Sequence, residues 1–173
     1  MSNFFNDLNR AKKYEELFQD LYNDSTYIGE VKWNDMKYFP DYIINIKDNH
    51  FFGEIKIDFT HYDSFFIERY SNVKSKRLGG PWGALKYGAH YFIYWFISEK
   101  NQHQWECFIF RTHELVQWLY DNENNYKMRY VGNDEYVTCG YSIPISHLEN
   151  MNFTKKRTLA PDCQEKGAGN KRG

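Results

Sequence analysis

The chain lacks any apolar run of about 18 residues, so no membrane-spanning helix is predicted. Cysteine is scarce: Cys107, Cys139 and Cys163 are odd in number and far apart, which excludes a disulfide framework and fits a reducing cytoplasm, that of a host if the chain is phage-encoded. No His stands at zinc-type spacing from another His or Cys. Nothing in the pattern supports a catalytic Cys–His pair, and Cys107, inside the apolar run Trp105 to Phe110, reads as a small buried side chain. Residues 1–7 carry no basic group ahead of an apolar stretch, which argues against secretion. Ala, Val and Leu are thinly used. The core must come from Ile and from aromatics, 20% of the chain, with many of the 15 Tyr expected half-buried and their hydroxyls in water. Such Tyr, Asn and Lys usage suits a low-GC genome, for instance a phage.

At 173 residues the chain suits one domain with a sizeable core. Its net charge of −1 is unevenly divided. Residues 154–173 hold six Lys or Arg against two acids, with Gly167, Gly169 and Gly173 and few apolar groups. The predicted organisation is a domain over 1–153 and a basic, glycine-containing, disordered tail over 154–173. That tail either adds nonspecific affinity for DNA or has no role.

Residues 3–22 have helical periodicity, with Phe4, Leu8, Ala11, Tyr14, Phe18, Leu21 and Tyr22 on one face. Glu15 falls inside that apolar arc and Glu16 outside it. Two readings of Glu15 stand: a core-facing carboxylate that needs a partner or a metal, or an edge-of-stripe side chain bending into water. Asp41 to Ile46 reads as a strand, Lys47 to His50 as a turn, and Phe51 to Asp58 as the returning strand. Phe65 to Tyr70 is a further strand, leading into the basic segment Arg69 to Arg77. Gly79-Gly80-Pro81 then breaks the chain before a short helix. The continuous apolar run Tyr91 to Ile97 belongs at a sheet centre, covered on both faces. Residues 98–104 turn the chain and Trp105 to Phe110 returns it. Thr112 is predicted to cap a helix through Tyr120, followed by a polar loop over 121–125. Tyr126 to Val131 and Glu135 to Ile145 form a last hairpin, and Ser146 starts a short final helix. Helix, strands, helix, strands, helix predicts an α/β fold with a central mixed β-sheet flanked by α-helices.

The chemistry concentrates in Pro40-Asp41 and, thirteen residues on, Glu54-Ile55-Lys56. Side chains alternate along a strand, so Glu54, Lys56 and Asp58 share one face, while Ile55, Ile57 and in part Phe52 point away. A hairpin brings Asp41 near that polar face. Magnesium takes oxygen ligands at about 2.0–2.1 Å, typically one or two carboxylates with several waters, and Asp41 and Glu54 can supply them. Such a cation acidifies water and neutralises charge developing on phosphate oxygens. Lys56 can orient the water or stabilise the oxyanion. A second copy of the tripeptide, Glu30-Val31-Lys32, lacks an acid far enough upstream, and Trp33-Asn34-Asp35 after it makes a poor buried strand. The bland alternative is a surface hairpin with solvated charges. Flanking Phe51, Phe52, Ile55 and Ile57 favour burial.

These residues resemble the PD-(D/E)XK, or restriction-endonuclease-like, nuclease superfamily, over roughly residues 35–148. The resemblance implies a catalytic centre of Asp41, Glu54 and Lys56, with a metal set of Asp41, Glu54 and Ile55. It further implies an acid lent by the first helix, placed on Glu15, and one at Glu68 as in some phage-type members. For Glu68 a cross-strand pair with a Lys is the competing reading, and Asp58 has similar standing. Where such members often carry an Asp before the aromatic strand, this chain has His90. The implied cofactor is Mg2+, with Mn2+ as a substitute. The implied activity is a magnesium-dependent DNA endonuclease on a restriction-endonuclease-like core, with a homodimer as one possible assembly. DNA contacts fall to Lys74, Lys76, Arg77 and Lys86, with Arg69 in the same segment, unless that segment is simply solvated. Two other classes stay open: a noncatalytic nucleic-acid- or protein-binding module on the same scaffold, and an interaction protein with a Tyr-rich surface.

Overall fold

The strand Tyr91–Phe96 shows how this sequence divides its bulk between two layers. Phe92, Tyr94 and Phe96 are buried on one side, and Ile93 and Trp95, with Ile97 just beyond, are buried in a separate cluster on the other. The computed structural model describes residues 10, 12–15, 17–22, 30–33, 40–46, 48–60, 63–97, 105–132 and 136–158. Strands run β1 (Glu30–Trp33), β2 (Tyr42–Ile46), β3 (Asn49–Asp58), β4 (Ser64–Asn72), β5 (Arg77–Leu78), β6 (Tyr91–Phe96), β7 (Glu106–Arg111), β8 (Met128–Gly132), β9 (Val137–Pro144) and β10 (Thr154–Thr158). Helices are α1, helical at residues 10, 12–15 and 17–22, then α2 (Gly80–Lys86), α3 (Thr112–Asn122) and α4 (Ile145–Leu148).

One sheet has six strands in the order β1-β2-β3-β6-β7-β10. Every neighbouring pair in it is antiparallel except β3 with β6. Its α1 face buries Tyr14, Phe18 and Leu21 against Tyr42, Ile55, Ile93 and Trp95. Phe18 lies 5.1 Å from the Tyr42 ring and 5.5 Å from Trp95. The Tyr42 hydroxyl donates to the Glu15 carbonyl, tying α1 to the start of β2. The opposite face is covered by a second, four-stranded antiparallel sheet, β5-β4-β9-β8, together with α2 and α3. Phe65 of β4 is fully buried there, its ring within 5.5 Å of Tyr94, Phe96, Phe108 and Phe110. Deleting such a ring typically costs about 3–5 kcal/mol. Among the described residues no helix is long and apolar enough to cross a membrane.

The mixed α/β class, the Asp41-to-Asp58 hairpin and the central place of Tyr91–Phe96 match the sequence reading. The helix predicted over 3–22 is present at its described positions from 10 on, and residues 1–9 lie outside them. Several expectations need correction. The fold has two sheets, not one, because β4 finds its partner in β9, some seventy residues downstream, and not in β3. The tail boundary at 153 is too early. Thr154–Thr158 pairs with β7 along its whole length, since main-chain bonding needs few apolar side chains, and Lys156 bonds Glu106 at 2.6 Å and lies 3.6 Å from Glu149. The remainder of the tail lies outside the described residues. Glu30–Lys32 sits in an edge strand, β1, paired with β2. Thr112 does not cap α3. Arg111 holds that position without a side-chain cap bond, because β7 runs straight into the helix and turns Thr112 into the core, fully buried. Finally, α3 continues to Asn122 and a 3-10 turn occupies 123–125, where a loop is predicted.

Candidate functional site

The pairing of Tyr42 with Gly53 sets the register that carries Asp41 opposite Glu54, one step past the end of the β2–β3 ladder. With no β2 residue left to bond, the Ile55 main-chain N–H donates to Asp41 Oδ2 at 3.0 Å. Glu54 in turn accepts from the Asp41 main chain. Burial raises the Asp41 carboxyl to about 6, against the lowering effect of the Ile55 N–H. Glu54 is raised to about 8, by burial first, then by the charge on Asp41, with a smaller contribution from Glu15. Ionising both is therefore opposed by partial burial and, at Glu54, by the charge on Asp41, an opposition that a bound cation would relieve.

The donor set fits a hard divalent ion. Asp41 and Glu54 offer carboxylate oxygens. The Ile55 N–H and C=O point to the same edge of an extended strand, so the carbonyl also opens on the Asp41 side. Among the described residues no three His, Cys, Asp or Glu side chains gather at metal-holding distance. Glu15, on α1, acts on Glu54 through its charge.

Lys56 and Glu68 form a second pair. Lys56 Nζ donates to Glu68 Oε1 at 2.7 Å, reaching from the six-stranded sheet to β4 of the other. The Glu68 carboxylate packs against main chain that must be bare: a Cβ at Gly79 would come within 3.1 Å of Glu68 Oε2 and 2.7 Å of the Ser71 nitrogen. Gly80, at φ +46, would place one 2.8 Å from the Glu68 carbonyl. A notch of about 110 Å³ opens here, lined by Glu54, Lys56, Phe66, Glu68, Gly80 and Phe92. That is room for an ion and a few waters, not for a whole nucleotide.

Asp58, on the same strand face, is already satisfied. Its carboxylate accepts from the Tyr94 hydroxyl at 2.6 Å, from the Thr60 N–H at 2.8 Å and from the Thr60 hydroxyl. Tyr94 also accepts the Phe66 N–H at 3.1 Å, so this group pins β3 and β6 to β4. Asp58 is thereby architectural, which removes it from the metal candidates.

Lys74, Lys76, Arg77 and Lys86 are all exposed. The first three sit on the turn and second strand of the β4–β5 hairpin, beyond Glu68 on the same element, and Lys86 ends α2. Arg69 does not join them: its guanidinium lies 4.5 Å from the Trp82 ring and 5.1 Å from Tyr120, clamping β4 to α2 and α3. His90 bridges to Phe52, whose N–H donates to its Nδ1 at 3.1 Å, and the two rings stack. Phe52 thus belongs to the Glu54 face, correcting the partial assignment to the other. Burial pushes the Cys107 thiol up, and with zero exposure it is no nucleophile. The sequence reading missed the role of Gly79 and Gly80, seen only as a break, and Tyr94, seen only as core. A Gly-Gly pair directly before Pro81 was the available signal. Comparison with protein-family models and with curated proteins returns no match.

Proposed function

We propose that the chain is a magnesium-dependent nuclease, acting on DNA, with a restriction-endonuclease-like core. The observation that carries this reading is the half-buried pair Asp41 and Glu54 beside the Ile55 main chain, with Lys56 two residues on from Glu54. The antiparallel β2–β3 hairpin with β6 parallel to β3 supports the fold part of the proposal. When bound, the cation supplies a Lewis acid that neutralises charge developing on phosphate oxygens and acidifies water. Asp41 and Glu54 hold it, with Mn2+ as an alternative occupant. Lys56 donates to the attacking water or to a phosphate oxygen, and Glu68 fixes where that ammonium points. Exposed Lys74, Lys76, Arg77 and Lys86 supply positive potential for the strand.

The test is cleavage of a labelled panel of duplex, single-stranded and branched DNA, and of RNA, with and without magnesium. Asp41→Ala and Lys56→Ala are expected to abolish cleavage while circular dichroism stays native. Full activity in either variant overturns the assignment. One observation favours a noncatalytic module instead: the Lys56 ammonium is already engaged by Glu68 at 2.7 Å. On that reading nucleic-acid binding would be indifferent to chelators and no substrate would be cut.

A further inference from the structure

A second concavity lies at the other end of α2, about 430 Å³ in volume, lined by Phe51, His90, Tyr91, Arg111, His113 and Glu114, with Leu85 at its mouth. We propose that this cleft holds an unpaired nucleobase next to the acidic notch. The inference rests on the nuclease reading above for the source of the base.

Size argues first. The cleft falls within the roughly 300–1,000 Å³ of small-molecule sites, whereas the notch, at about 110 Å³, takes only an ion with its waters. Lining argues second. Phe51 stands edge-on to His90 at 5.4 Å and to Tyr91 at 5.9 Å, giving an aromatic wall of the kind on which bases stack without regard to sequence. The polar groups are held in place. Because the Phe52 N–H donates to His90 Nδ1, the neutral imidazole carries its proton on Nε2 and presents a donor. Arg111 is fixed on two sides, its Nε 3.0 Å from Glu114 Oε1 and its Nη2 3.2 Å from the Asn152 carbonyl. Charge argues third. With Arg111 matched by Glu114, the wall carries no surplus cation, which suits a neutral heteroaromatic ring better than a bare phosphate. Position completes the case. Gly80 lines the notch and Leu85 the cleft, and the five helical steps between them span about 7.5 Å of helix axis, a reach of about one or two nucleotides.

The experiment uses the full chain with short single-stranded DNA carrying 2-aminopurine, in chelator so that nothing is cut, and 2-aminopurine mononucleotide as a second arm. Wild type should change the probe's fluorescence on binding. Leu85→Glu and His113→Ala alter exposed side chains, and native circular dichroism confirms that they fold. Both should remove the fluorescence change and weaken strand binding at least about fivefold. Loss of the mononucleotide signal alone would assign the cleft to free nucleotides. An unchanged signal in both variants on both probes overturns the proposal. Cleavage is followed in parallel with magnesium: cutting without a base signal sinks the cleft and spares the nuclease, and a base signal without cutting does the reverse.

Discussion

Glu54 and Asp58 stand four residues apart on one face of one strand, and their surroundings are opposite. Asp58 takes three donors, from Tyr94 and Thr60, and holds two sheets together. Glu54 is half-buried beside Asp41, with a main-chain contact as its relief and a second acid, Glu15, within electrostatic reach. Burial alone does not separate the two roles. What separates them is whether the carboxylate's lone pairs are filled by the protein's own donors or left for something else to fill.

The strongest way to break that contrast is to neutralise each acid. Glu54→Gln is expected to lower magnesium-dependent cleavage by roughly 10²- to 10³-fold, with the thermal midpoint unchanged or higher because the repulsion with Asp41 is gone. Asp58→Ala should leave cleavage per folded molecule within a few-fold. Equal losses in the two would erase the distinction. Next in size is the stability cost of Asp58→Ala, about 1–3 kcal/mol, since the buried Tyr94 hydroxyl loses its acceptor. Thermal denaturation reads it at about 2–4 °C per kcal/mol.

A third test is a pH slope. Because the native carboxyls of Asp41 and Glu54 lie above their unfolded values, the folded chain keeps protons that the unfolded chain has released. Their stabilising contribution is full below about pH 4 and is lost as pH rises through about 6 and about 8. Urea midpoints at pH 5 and pH 8.5 without divalent cation should fall accordingly. Magnesium should flatten the slope by holding both groups ionised, and so should Glu54→Gln. A slope that survives the substitution would move its origin elsewhere.

Much of the site was legible because its residues are close in sequence. Asp41, Glu54 and Lys56 are joined by one hairpin, and period-two alternation is enough to put Glu54 and Lys56 on a common face. What escaped lies across the sheets. Nothing local in Phe65 to Tyr70 says that it pairs with β9, so the second sheet was not visible, and the pairing of Glu68 with a Lys, weighed as one reading, could not be assigned to Lys56 across the sheets. Asp58 looked equivalent to Glu54 because its partner, Tyr94, is thirty-six residues away. β10 was hidden by its own composition, Lys155-Lys156-Arg157, which resembles a solvated tail until β7 offers it a ladder.

The Lys56–Glu68 contact joins two separate layers of strands, so the spacing at the notch is inherited from how the layers are stacked. Sliding one layer past the other by a single strand step, about 3.3 Å, would carry the ammonium off its carboxylate while every ladder stayed intact. The chain can thus lose its working geometry through shear, without melting.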